Sequence, residues 1–145
     1  MLVDSKKKQL GVEPIIVIAA EETKAKQPVM TVWAAVLTEL NQPNTTLFQE
    51  GNTLFIIHHV APRHGFFRAI NADTARNYLE NSYLFIQAAH KYGYDVLYTI
   101  FEEKTLLNIF KAIFRNPPMP NMEYKVEKMG KEFVVTLNLG KSRSA

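Results

Sequence analysis

The strongest constraint on the fold is a strand, a long helix, a second strand and a second helix that follow one another between residues 66 and 114. The short apolar run Phe66–Ile70 is typical of a buried strand. Helical periodicity then extends from Ala75 to Gly93, a residue type that ends helices at no steric cost. Val96–Phe101 is rich in β-branched and aromatic residues, which indicates another strand. Such a crossover unit predicts that its two strands are parallel.

The ends of both helices in this unit are also predicted. Asn71 or Asp73 is expected to cap the long helix, because a short oxygen-bearing side chain accepts hydrogen bonds from amides that lack a helical partner. The second helix must end before Pro117 and Pro118, since proline cannot continue a helix. Its apolar face contains Leu106, Leu107, Ile109, Phe110, Ile113 and Phe114.

The rest of the chain adds one helix, one further strand and two hairpins to this unit. The helix is expected to begin at Pro28 and to end near Leu40, before Pro43. The other elements are a strand at Pro14–Ala19, a hairpin of Thr45–Gln49 with Thr53–Val60, and a hairpin of Met122–Lys128 with Glu132–Leu139. The expected fold class is α/β (α+β), with one mixed, mostly antiparallel twisted sheet of about seven strands and helices on both faces.

Composition indicates one globular domain. The chain has 145 residues, of which 47% are hydrophobic, and it contains no cysteine for disulfides or thiolate chemistry. No apolar run approaches the roughly 18 residues that span a bilayer, and no signal peptide is recognisable. We therefore expect a soluble protein that is not secreted. Its expected organisation is a flexible basic arm at residues 1–10, a domain at 11–140 and a polar tail at 141–145.

The charge distribution leaves two interpretations open. The net charge is +3, and the sequence pI is about 9.1. Most of the excess lies at the two ends, in residues 6–8 and in Lys141 with Arg143. These are solvated tails, or they make weak electrostatic contact with nucleic acid.

The order of elements from about Pro14 to Leu139 resembles the GNAT superfamily, the acyl-CoA-dependent N-acetyltransferases. Here one clear helix lies between the first two predicted strands, where that family usually has two. The resemblance implies a loop of the form Gln/Arg-x-x-Gly-x-Gly/Ala before the long helix, whose amides bind the cofactor's pyrophosphate. Arg68 fits this pattern, but Asn71 and Asp73 replace its two small residues. The carboxylate of Asp73 would oppose a phosphate in charge and in space.

The resemblance also implies an asparagine after the fifth strand and, seven residues later, a tyrosine that protonates the leaving thiolate. Glu103 and Phe110 hold those positions, and phenylalanine has no hydroxyl with which to act as an acid. Tyr98 and Tyr124 are the alternative acids, although we expect both to be packing residues. The cofactor loop and the acid therefore both depart from the family pattern.

These departures favour a domain that keeps the fold without the chemistry, similar to the acetyltransferase-like virion proteins of short-tailed phages. This resemblance implies a structural or assembly protein of the virion or host cytoplasm. It would act through contacts with other proteins of a particle, without a cofactor. The alternative is an N-acetyltransferase that uses acetyl-CoA, with Glu102 or Glu103 as the base. Its cofactor-binding residues would be Arg68, Asn71, Ala72, Asp73, Thr74 and Ala75.

Three histidines raise the question of a metal site. His58 and His59 are neighbours on a predicted strand, so they face opposite sides of the sheet. His64 follows on the next strand, and no carboxylate or cysteine is close in sequence. We therefore expect no metal.

Overall fold

The computed structural model describes residues 2–4, 29–101, 104–119 and 121–140. These residues form an α+β fold with a mixed sheet and three helices. Among the described helices, none combines the length and the apolar character that crossing a membrane would need. The strands are β1 (Leu2–Asp4), β2 (Thr45–Glu50), β3 (Thr53–Ala61), β4 (His64–Asn71), β5 (Val96–Phe101), β6 (Glu123–Met129) and β7 (Glu132–Asn138), and the helices are α1 (Val29–Leu40), α2 (Ala75–Tyr92) and α3 (Lys104–Arg115).

Six strands of six to nine residues form the body of the sheet, and the three-residue β1 joins one edge. The order across the sheet is β1-β2-β3-β4-β5-β7-β6. The β1–β2 and β4–β5 pairs are parallel, and the other pairs are antiparallel. The parallel pairing of β4 with β5 confirms the crossover unit predicted around α2.

The predicted hairpins and the predicted elements between residues 66 and 114 are confirmed, with ends that differ by a residue or two. The predicted strand at Pro14–Ala19 lies outside the described residues, as do Pro28, most of the arm and the tail at 141–145. The expectation of about seven strands is therefore open at its first predicted member, Pro14–Ala19. Within the predicted arm, Leu2–Asp4 pairs with residues 47–49 of β2.

Each face of the sheet buries its own apolar cluster. The larger cluster lies under α2 and α3, and the smaller one lies under Val36 of α1. β3 supplies both clusters, because successive side chains of a strand point to opposite faces. Phe55 and Ile57 enter the first, while Leu54 and Ile56 enter the second. The helices thus cover both faces, as predicted.

Phe85 of α2 lies at the centre of the larger cluster and has no exposed surface. Its ring stacks on Phe55, with centroids 4.1 Å apart and planes at 2°. Phe67 and Phe48 pack against it at centroid distances of 5.1 and 5.6 Å. These contacts fix α2 across three adjacent strands of the sheet, β2, β3 and β4.

The cap of α2 differs from the prediction. Thr74 is the N-cap, and its Oγ1 accepts a hydrogen bond from the backbone N–H of Asn77 at 3.3 Å. Asn71 and Asp73, the predicted caps, instead bond across the preceding turn. Three of the four residues 71–74 carry an oxygen-bearing side chain, and the one next to the helix has the extended backbone that a cap requires. Gly93 ends the helix, as predicted, with φ of 134°.

Gly65 of β4 is required by a close approach of two buried side chains. A Cβ at this position would lie 2.4 Å from Cγ2 of Ile57 and 3.0 Å from the ring of Tyr94. We expect Gly65→Ala to lower the free energy of unfolding by roughly 1–3 kcal/mol through overpacking. Chemical denaturation of Gly65→Ala, Ile57→Ala and the double variant measures this. The double variant should lose less than the sum of the single losses, and strict additivity would contradict the clash.

Tyr94 makes the folding stability of the chain depend on pH in the alkaline range. Burial raises its pKa above the ordinary 10.0 and outweighs a hydrogen bond with Thr46 that lowers it. The unfolded chain therefore loses this proton first as the pH rises. The contribution of Tyr94 to stability is complete below about pH 10 and is lost as the pH rises through the folded-state pKa. An ultraviolet titration should show a late-ionising phenol that Tyr94→Phe removes, and an unchanged titration in that variant would contradict the assignment.

Candidate functional site

The candidate site is the turn from β4 into α2, here called the β4–α2 turn and defined as residues 71–74. The carboxylate of Asp73 lies at its centre. Oδ2 accepts the backbone N–H of Asn52 at 2.8 Å and Nδ2 of Asn81 at 2.7 Å. Oδ1 accepts Nδ2 of Asn52 at 3.4 Å. The β2–β3 turn and the second turn of α2 are thereby joined through one carboxylate.

Asn71 completes this polar network from the end of β4. Its Oδ1 accepts the hydroxyl of Thr53 at 2.8 Å and the backbone N–H of Asp73 at 3.0 Å. Its Nδ2 donates to the carbonyl of Asp73 at 2.8 Å. Asn81, which is 3% exposed, also donates to the hydroxyl of Thr53 at 3.0 Å. The network is well satisfied, and the low dielectric around Asn81 strengthens its bonds.

Two backbone amides of the turn are also engaged within the chain. The N–H of Ala72 donates to the carbonyl of Asn52 at 2.9 Å, and the N–H of Asp73 is held by Asn71. Ala72 and Asp73 belong to the segment predicted to bind pyrophosphate in the acetyltransferase alternative. Thr74 is used as the helix cap, and Ala75 begins the helix. A phosphate bound by the amides of Ala72 and Asp73 would have to displace these internal bonds.

Arg68 is turned away from the β4–α2 turn. Its guanidinium bonds to both carboxylate oxygens of Glu39 in α1, at 2.8 and 2.9 Å. Strand alternation explains this, because Phe67 and Ala69 face the cluster under α2 and Arg68 faces the other side. Arg68 therefore does not join the other predicted cofactor residues.

The interior behind the turn, between β4, α2 and α3, is filled by side chains. The remaining cavity there has a volume of about 10 Å³, room for a single water at most. Phe110, at the position where the resemblance implies a tyrosine acid, is 8% exposed and stacks on Phe101 at 5.3 Å. The cavity is lined by Phe55, Phe67, Tyr78, Ser82, Phe85, Ile86, Ile109, Phe110 and Ile113.

The two tyrosines considered as alternative acids do not line this cavity. Glu102 and Glu103 lie outside the described residues. Tyr98 stacks on His64, with centroids 6.1 Å apart. Tyr124 stacks on Phe114, with centroids 3.7 Å apart and planes at 3°. Neither tyrosine lines the cavity.

Two of the three histidines considered as metal ligands have other partners. Nε2 of His58 lies 2.9 Å from Oε2 of Glu39, and Nδ1 of His64 lies 2.7 Å from the carbonyl of Pro62. In the described part of the chain, no three histidine, aspartate or glutamate side chains are grouped as a metal site would need.

A second site, which no sequence pattern indicated, is a groove between α3 and β6 with a volume of about 450 Å³. Lys111 and Arg115 lie on one side of α3, four residues apart. Within the described residues, neither side chain forms an ion pair. The apolar pattern of α3 predicted that Phe114 lies in the core, so it did not indicate that Phe114 stacks on Tyr124. The groove, called the α3–β6 groove below, is lined by Leu107, Lys111, Phe114, Arg115, Tyr124 and Val126.

Comparison of the chain with protein-family models, curated proteins and solved structures found no match.

Proposed function

We propose that the chain is a non-catalytic GNAT-like domain that acts through protein–protein contacts, as a component of a phage particle or of its assembly. The observation that carries this proposal is that Asp73 and Asn71 of the β4–α2 turn form hydrogen bonds within the chain. The parallel β4–α2–β5 crossover between antiparallel hairpins supports the GNAT-like part. The likeness of the sequence pattern to virion proteins of short-tailed phages supports the proposed role in a phage particle.

Electrostatics argues against a nucleotide diphosphate at the β4–α2 turn. The Asp73 carboxylate is held by three donor groups, so it cannot swing away without leaving them unsatisfied. A pyrophosphate placed against it would bring like charges together at short range. Two of the amides that the acetyltransferase alternative would use, those of Ala72 and Asp73, already have acceptors.

The α3–β6 groove is the surface that best fits a protein partner. Its lining includes the stacked rings of Phe114 and Tyr124 together with the cationic side chains of Lys111 and Arg115. An apolar floor flanked by cations is complementary to an acidic segment that inserts an apolar or aromatic side chain. We propose such a segment of another particle protein as the partner.

Charge reversal in the groove tests this function. Tagged chain should sediment with phage particles that are assembled in its presence. The double variant Lys111→Glu/Arg115→Glu should lower the amount of chain bound to the particles, because the acidic segment of the partner is then repelled. Lys91→Glu is the matched control, since Lys91 is an exposed lysine on α2, outside the groove. Equal incorporation of the groove and control variants would contradict the proposed surface. Steady acetylation of an amine by the purified chain would overturn the proposed function as a whole.

A further inference from the structure

We propose that the outer edge of β6 pairs with β6 of a second copy of this chain, antiparallel and about a two-fold axis at Val126. The two sheets then become one continuous sheet. This inference rests on the edge strand and its charges, and it does not depend on the function proposed above.

β6 is the last strand in the sheet order, with β7 on its inner side. All seven of its residues are exposed. Within the described ranges of the chain, no other strand pairs with its outer edge. An exposed edge strand offers a row of backbone N–H and C=O groups to another strand.

The register with β7 determines which residues present those groups. The two-residue turn 130–131 closes on the pair Met129–Glu132. In a hairpin with so short a turn, the closing pair is hydrogen-bonded, and bonded and non-bonded pairs then alternate along the ladder. The backbone groups of Lys125 and Glu127 therefore point toward β7. Those of Tyr124, Val126 and Lys128 point outward.

A two-fold axis at Val126 makes these outward groups meet. Val126 then lies opposite Val126 of the second copy, and Tyr124 lies opposite Lys128 of the second copy. Each such pair exchanges two backbone hydrogen bonds. The side chains of this row lie on the face that carries the α3–β6 groove, to which Tyr124 and Val126 already belong. The ammonium of Lys128 would lie beside the ring of Tyr124, a favourable pairing.

The charges on the opposite face select this register. Lys125 and Glu127 form an ion pair within the strand, with Nζ and Oε1 3.0 Å apart. Around Val126, each Lys125 faces Glu127 of the other copy. A shift by one bonded pair in either direction would instead place Lys125 against Lys125 or Glu127 against Glu127. Unlike charges directly opposite stabilise a pair of strands and like charges destabilise it, so the Val126 register is preferred.

Charged residues on an edge strand commonly prevent association. In β6, Lys125 and Glu127 occupy positions that the two-fold axis exchanges. A second copy therefore places unlike charges at both positions, whereas a strand of uniform charge does so at only one. A self-complementary strand is what an isologous interface requires.

Reciprocal charge variants of the full chain test the pairing. Sedimentation equilibrium up to about 1 mM chain, where even a millimolar dissociation constant is visible, should show a reversible dimer of the wild type. Lys125→Glu and Glu127→Lys should each raise the dissociation constant about tenfold or more, since each places like charges at both cross-strand positions. The double variant should dimerise like the wild type, because it restores opposite charges.

Mixing the two single variants separates pairing from a folding defect. One strand then carries two glutamates and the other two lysines, so a heterodimer should form although neither variant dimerises alone. Val126→Pro should also abolish dimerisation while keeping the β6–β7 hairpin, because it removes an N–H that points outward. A wild type that stays monomeric throughout the series would overturn the proposal. So would single variants that dimerise as tightly as the wild type, or a mixture that remains monomeric.

Discussion

Replacing Phe85 by alanine should lower the free energy of unfolding by about 3–5 kcal/mol. The side chain is fully buried and packs against Phe48, Phe55 and Phe67, three rings carried by three strands. It also lines the small cavity between β4, α2 and α3, which the truncation would enlarge. Loss of buried apolar surface and creation of a void act in the same direction, so this is the largest effect we expect from a single substitution.

Urea denaturation followed by circular dichroism measures the Phe85→Ala effect as a shift of the midpoint at similar slope. Lys91→Ala on the same helix is the control, since Lys91 is exposed and should change stability by no more than about 0.5 kcal/mol. A loss below about 1 kcal/mol in Phe85→Ala would show that α2 is not fixed through this ring.

Asp73→Ala has the second-largest expected effect, a loss of roughly 2–4 kcal/mol in the free energy of unfolding. The substitution leaves the backbone N–H of Asn52 and the buried Nδ2 of Asn81 without their shared acceptor. Hydrogen bonds to a carboxylate are stronger than neutral ones, and an unsatisfied buried donor keeps its full desolvation cost.

The matched control for this prediction is Asp73→Asn, which keeps the size of the side chain and one carbonyl oxygen. It should lose less stability than Asp73→Ala, because its carbonyl oxygen, placed where Oδ2 lies, still accepts from both Asn52 and Asn81. Both are compared in the same denaturation experiment. If Asp73→Ala were as stable as the wild type, the carboxylate would be free of the network, and the turn would be open to a ligand.

The crossover unit and the hairpins could be predicted from sequence because their signals are local. Helical periodicity before Gly93, the β-branched run 96–101 and the double proline after α3 each act over a few residues. The two apolar clusters also follow from the sequence, since β3 is apolar at consecutive positions and must be buried on both faces.

The candidate site was less predictable because its contacts are long-range. Asp73 is an obvious turn residue, but its partners Asn52 and Asn81 lie 21 and 8 residues away. No local pattern shows which of several oxygen-bearing side chains will cap a helix and which will bridge to another turn. The face of the sheet on which Arg68 lies could be predicted, because strand alternation places it opposite to Phe67. The α3–β6 groove could not be predicted, because it depends on how a helix and an edge strand lie together.

Isothermal titration of the full chain with acetyl-CoA tests most directly the claim that the β4–α2 turn does not hold a nucleotide diphosphate. With ligand up to about 1 mM, we predict no saturable heat beyond dilution. Saturable one-to-one binding that weakens in Asn71→Phe would contradict the account, because it would place the cofactor at the turn that Asp73 and Asn71 fill.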